Sequence, residues 1–427
     1  MLPASFKTDK AARLTKFGYI SFLLIFVVFL FTQLLILFFS HNLSLSQQGN
    51  AYGFTDFVHF YLSGKITLSP SRELFYCWDV QKQFLENLTH CAISGADFYT
   101  PYLPIVFIMM APYSLLPIDL SHLLFDFVNL SVGLSGCWVL IKHFQWTKSN
   151  MAKYVLLGTL ASMPAWNTLM LGQITWLYVG LICFYIVALR QNKYIKAGFN
   201  LALTIIKPQY AVFLLIPALS LRRYYVFIAA AIWEIFFFAV CALVFGLKAL
   251  LVYPFVLNQA ESSASSVHAQ LMYCLRPFIE IFFSQQIAYH YCLILFGLGW
   301  LAVTSLGFYG LKKRNTENAF LWLTSLTVLA SLLFSPHAHS HDALFLVLPA
   351  LLTLPANLAN KQTITSILWR WIFYLLPIIS WLSFFLVFIH LPGNLLFTTC
   401  IIILTFCAYK QYCLEIVLIP SQDKVNL

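Results

Sequence analysis

Charge is what this sequence lacks. Only 9% of its 427 residues are charged and just fifteen are Asp or Glu, where a soluble domain carries roughly 25% charged residues. With 61% hydrophobic residues and a mean hydropathy of +0.81, the chain is neither a soluble globular protein nor a disordered one. It is not a nucleic-acid binder either. The 25 Lys and Arg give a net charge of +10, but they are scattered over short loops, as in a membrane protein marking its cytoplasmic side. There is no internal repeat of the kind common in secondary transporters, and no zinc-type cysteine spacing. Most of the ten cysteines, such as Cys183, Cys241, Cys292, Cys400 and Cys407, lie inside apolar runs as small hydrophobes. Cys77 and Cys91 instead share a polar segment, and they can pair if that segment lies outside the cell, though spacing alone does not set the geometry.

What is present is a series of long apolar runs, which makes this an all-α polytopic membrane protein. Residues 17–40 carry no charge and are long enough to cross about 30 Å of hydrocarbon. The run is too long for a removable signal peptide and has no small-residue cleavage site. Lys7, Lys10, Arg13 and Lys16 precede it and put the N-terminus in the cytoplasm. Residues 41–100 then form a long first extracytoplasmic loop, in which 57–66 and 72–88 read as helices lying on the membrane surface. Residues 99–117 are apolar but broken by four prolines, which suits a re-entrant piece. Spans follow at 120–144, 155–171 and 176–189, with Gly172-Gln173 at an outer turn. Residues 197–221 carry Lys207-Pro208 at their middle and cations at both ends. They are either two half-helices meeting at Lys207 or one span kinked at Pro208. Further spans are expected at 226–245, 287–311, 320–334 and 343–354, with a second extracytoplasmic loop at 247–286 and a C-terminal hairpin over 365–412. This path gives about twelve crossings in a single domain over 1–427, with roughly 19 of the 25 Lys and Arg in the cytoplasm.

In such a chain a charge at membrane depth costs about 2.5 kcal/mol or more, so each is a functional candidate. Asp56 is the first acid after the first span and can act as a general base, with His59 one helical turn on. The plainer role for Asp56 is a helix cap. Lys207 beside Pro208 makes an anion site, suited to phosphate, if a half-helix starts there; otherwise the lysine snorkels to an interface. The string Ser335-Pro336-His337-Ala338-His339-Ser340-His341-Asp342 is the densest polar run of the second half. His337 and His341 share a face and suit hydrogen bonding to an anion or sugar better than metal binding. Gln173 suits a hydroxylated ligand, and Arg276 a phosphate. Along the expected path Asp56, Gln173, Lys207 and 337–342 all fall toward the outer leaflet.

Taken in order, these features resemble glycosyltransferase family 87, membrane transferases of the GT-C fold. The resemblance rests on one span followed by an outer loop that opens with an Asp, on Tyr102-Leu103-Pro104 with Pro112, and on Gly172-Gln173 before an apolar span. It also rests on Ala197-Gly198 leading to Lys207-Pro208, and on Ser335-Pro336-His337 with His341-Asp342. It covers most of residues 15–355. The resemblance implies a hexose, commonly mannose, carried by a polyprenyl phosphate and passed with inversion to a glycolipid or glycan outside the membrane. Asp56 then takes the place of the catalytic base. Lys207, His337, His341, Gln173 and Arg276 bind donor phosphate and sugar, and His59, Asp342 and Tyr102 serve the acceptor side or support it. No metal or cofactor is implied, and the partners are the lipid-linked donor, the acceptor and membrane lipids. The expected location is the plasma (inner) membrane with the site facing outward. The rival classes are a transporter or lipid flippase, and a polyprenyl-linked polysaccharide ligase.

Overall fold

The computed structural model describes residues 56–89, 100–148, 150–262, 271–313, 316–354 and 363–417. The first expected span, the whole of the 41–55 segment and Cys91 therefore lie outside the described residues. Everything described is helix, turn or connecting segment, apart from an isolated bridge between Met272 and His339.

Among the described residues six helices are long and apolar enough to cross a membrane: α4 (Ile118–His143), α10 (Tyr224–Phe245), α14 (Gln285–Lys313), α15 (Glu317–Phe334), α17 (Ile364–Phe388) and α18 (Gly393–Val417). A seventh crossing results if α6 (Met163–Leu171) and α7 (Thr175–Arg190), bent by 117°, count as one. Among the described residues the expected count of about twelve is not reached, because several apolar runs fold as shorter pieces. Residues 155–171 divide into α5 (Asn150–Leu160) and α6, with Ser162 extended and Pro164 in the first turn of the new helix. Residues 340–353 begin as a 3-10 turn, Ser340–Leu346, and continue as α16 (Val347–Thr353), too short to span.

The 197–221 question is settled by geometry. Helix α8 (Tyr194–Leu203) runs into a 3-10 turn, Thr204–Ile206, and α9 (Pro208–Ser220) starts with Pro208 in its first turn. Arg223 Nη1, just past α9, donates to Tyr194 Oη at 3.1 Å. The chain thus returns to the level at which α8 began, and the two half-helices meet at Lys207.

The core is built around α15, whose span window is 83% buried, while α10, at 11% buried, lies at the periphery. Trp322 of α15 meets Trp369 of α17 edge to face at 5.0 Å. Helices α4 and α7 approach closely because both carry glycine at the crossing: a Cβ on Gly136 would lie 2.6 Å from the Gly180 Cα.

The first expected surface helix is corrected. In α1 (Phe57–Thr67) Phe57, Val58, Phe60, Tyr61, Leu62, Gly64 and Ile66 are all buried. It packs on α3 (Pro104–Met110) and the turn after it, where Ser114 Oγ donates to the Tyr61 carbonyl at 2.7 Å. Helix α2 (Trp78–Thr89) keeps the expected apolar face, placing buried Leu85 in the same cluster as Phe75 and Phe107. Cys77 is a free thiol, half-buried.

Candidate functional site

Asp56 stands immediately before α1, where a helix cap would be, yet its carboxylate makes no capping bond. It is turned toward the bend between α6 and α7, where Gln173 Nε2 donates to Asp56 Oδ2 at 2.6 Å. That bend is made by Gly172 in the left-handed region at φ 64°, and a Cβ there would lie 2.5 Å from Phe57 Cβ. Only a glycine lets the turn come down beside Asp56 and aim the buried Gln173 at it.

His59, one turn along α1, is paired with Thr100: Nδ1 and Oγ1 are 2.9 Å apart. Burial holds the His59 imidazole below its ordinary value, with the Asp56 carboxylate working the other way. Tyr102 stacks on Phe60 at 4.5 Å, and burial followed by the Asp56 charge raises its phenol well above the usual range. Both residues thus lie near enough to Asp56 to respond to its charge.

The other side of the site is the histidine string. Asp342 is almost wholly buried and is ion-paired with Lys207. It also accepts from the backbone N–H of His339 at 3.1 Å, and His341 Nε2 lies 3.5 Å from its Oδ1. Burial alone would raise the Asp342 carboxyl, but Lys207 and then His341 outweigh it and hold it well below the carboxylate range. Burial pushes His341 down to about 3. His339 shares a 2.8 Å hydrogen bond with His337 through their Nε2 atoms. It is kept neutral first by burial and then by its two neighbouring imidazoles, and it is near enough to Asp56 to feel that carboxylate's charge. The base candidate and the histidine string therefore lie within electrostatic reach of one another.

The supports are polar and come from distant segments. Tyr178 Oη of α7 donates to the Thr204 carbonyl at 2.9 Å, pinning the break at Lys207. Asn167 Nδ2 of α6 donates to Ser340 Oγ at 2.6 Å. Arg276, in α13 (Arg276–Glu280), lies under the string, with Nε on Glu280 at 2.7 Å and Nη1 on the Pro336 carbonyl at 3.3 Å. The adjoining strand-like stretch ties on through Tyr273 N–H to the Ala338 carbonyl at 2.7 Å. Among the described residues, no group of three or more His, Cys, Asp or Glu side chains is placed to hold a metal ion.

One pair was not singled out from the sequence. His122 and Asp126, one turn apart in α4, face each other at 3.4 Å inside the bundle. The His122 ring stacks on Phe57 at 4.3 Å and 8°, and its Nε2 would lie 2.7 Å from a Cβ on Gly172. It thus touches the residue after Asp56 and the residue before Gln173. The signal was present: two ionisable side chains at i and i+4 in an otherwise apolar span.

The model of glycosyltransferase family 87 matches residues 99–336, more than half of the chain. The match takes in Gln173, Lys207 and Arg276, and stops short of Asp56 on one side and His337 on the other. No curated protein matches the chain.

Proposed function

The chain belongs to glycosyltransferase family 87, and on that premise we propose that this membrane glycosyltransferase takes a hexose, mannose first among the candidates, from a polyprenyl phosphate. The acceptor is the hydroxyl of a glycolipid or glycan on the extracytoplasmic side. The observation that carries the reading is the Gln173–Asp56 hydrogen bond of 2.6 Å. It joins a carboxylate freed from capping duty to the segment that the family match covers, opposite a cation at a helix start.

The chemistry follows from that arrangement. Gln173 occupies Asp56 Oδ2, so Oδ1 takes the proton from the acceptor hydroxyl as its oxygen attacks the anomeric carbon. The bond from that carbon to the phosphate oxygen breaks, and the sugar inverts. Negative charge gathers on the departing prenyl phosphate, where the Lys207 ammonium and the positive end of α9 stabilise it. Asp342 fixes Lys207 in place, and the neutral imidazoles of the string offer hydrogen bonds to phosphate or sugar. Arg276 acts from beneath by shaping the string, and His59 and Tyr102 border the acceptor. His122 positions the base through Phe57 and Gly172. No step calls for a metal.

The test is transfer from radiolabelled polyprenyl-phosphate mannose to a native lipid extract by purified protein. Asp56→Asn should lower the rate by roughly 10²–10⁴ while leaving donor binding in place. Full activity in that variant removes Asp56 from the mechanism. If wild type transfers nothing, a panel of other prenyl-linked sugars decides whether mannose or the donor class is wrong.

A further inference from the structure

A groove lies at the opposite end of α8 from Lys207. It is open, about 580 Å³ in volume, and lies between α4 and α7 on one side and α8 and α10 on the other. Its walls are apolar and aromatic, with Phe184, Phe199 and Trp233 among them, and its mouth is polar, with Gln191, Lys193 and Lys196. Both lysines are exposed, and neither has a carboxylate partner among the described residues. Glu317 is engaged by Arg190 at 3.9 Å, and Glu234, which follows Trp233 in α10, is half-buried and makes no ion pair with either lysine among the described residues. Phe199 and Trp233 meet edge to face at 4.8 Å, so the inner wall is a preformed aromatic surface.

We infer that this groove is a binding site for an anionic phospholipid, with the phosphate between Lys193 and Lys196 and one acyl chain along Phe184, Phe199 and Trp233. The occupant follows from the two ends. An apolar trough that opens on the side of a membrane-spanning bundle is filled by hydrocarbon, and two unpartnered ammonium groups at its mouth select a negative head. A free phosphate would satisfy the lysines and leave the trough unused. The sugar donor is not the natural occupant: α8 has ten residues and rises about 15 Å, so a phosphate at Lys193 sits at least that far from Lys207. A lipid seated here fills the space beside α8, the half-helix whose far end presents Lys207.

The experiment uses the full-length protein, stripped of lipid in a neutral detergent. It is mixed with phosphatidylglycerol, phosphatidylcholine or inorganic phosphate, and bound lipid is counted by native mass spectrometry. One phosphatidylglycerol per chain should be retained, roughly tenfold to thirtyfold more tightly than phosphatidylcholine. The Lys193→Gln/Lys196→Gln pair and, separately, Gln191→Glu should bring retention down to the phosphatidylcholine level. Equal retention of the two lipids overturns the proposal, as does unchanged retention in both variants. Inorganic phosphate displacing the lipid would show a simple anion site and also overturn it.

Discussion

At the scale of the residue, the Lys207–Asp342 pair is the most exposed to single changes. Its carboxylate has 2% of its surface exposed and its ammonium partner 12%. Removing one member of such a pair leaves an uncompensated charge, at a cost of about 3–5 kcal/mol. Lys207→Met should therefore lower the melting temperature sharply, and adding Asp342→Leu should recover much of the loss without recovering transfer. The histidines respond to pH. His341 has a folded-state value of about 3 against the ordinary 6.5, so between those values the unfolded chain binds more protons than the folded one. Stability then rises with pH across that window and is lost on acidification. The melting temperature should fall between pH 7 and pH 5, and His341→Asn should flatten that slope. None of these pairings is written in the local sequence. Lys207 and Asp342 were each legible as polar residues out of place. That they meet is decided by packing between segments 135 residues apart.

At the scale of the element, the decisive features are breaks. The break at Lys207 could be read in advance, because a proline after a lysine in mid-run ends one helix and starts another. The break at Ser162 was missed, because Pro164 sits in a run whose apolar length alone resembles a span. The burial of α1 was hidden for a related reason: a short helix flanked by polar loop residues looks like a surface element until α3 and the turn after it cover its outer side. The bend at Gly172 is the element most open to test. Gly172→Ala would put a side chain into a left-handed backbone and against Phe57 and His122. Strain of this kind costs about 1–3 kcal/mol. Transfer should drop along with the melting temperature, whereas His122→Phe, which keeps a ring on Phe57, should lower the rate by less than His122→Ala does.

At the scale of the whole molecule, the loop cations beside α4, α7 and α8 and the candidate site sort to opposite ends. His143 and Gln191 meet at 3.3 Å, and Arg190 reaches Glu317 at 3.9 Å. The turns that carry Lys142, Arg190 and Lys193 thus gather at one level, near the Lys312-Lys313 end of α14. The site lies beyond the far end of α8. In a background with Cys77, Cys91 and Cys413 replaced by Ser, a cysteine at Lys196 should react with an impermeant thiol reagent from one side of sealed vesicles. A cysteine at exposed Asn87 should react from the other. Labelling of both from the same side contradicts the arrangement. The loops set the expectation that the cation-rich end is cytoplasmic, and this labelling is what decides it.

The separation of 135 residues between Lys207 and Asp342 also has a consequence in time. A ribosome adds about 5–20 residues per second, so Lys207 waits roughly seven to twenty-seven seconds for its counterion to be made. Over that interval α10, α14 and α15 are delivered to the bilayer while an ammonium without its acid sits at the junction of two half-helices. The nascent chain has reason to keep that junction beside the aqueous path of the insertion machinery until Asp342 emerges. A chain stalled before residue 342 is then a natural target for membrane quality control.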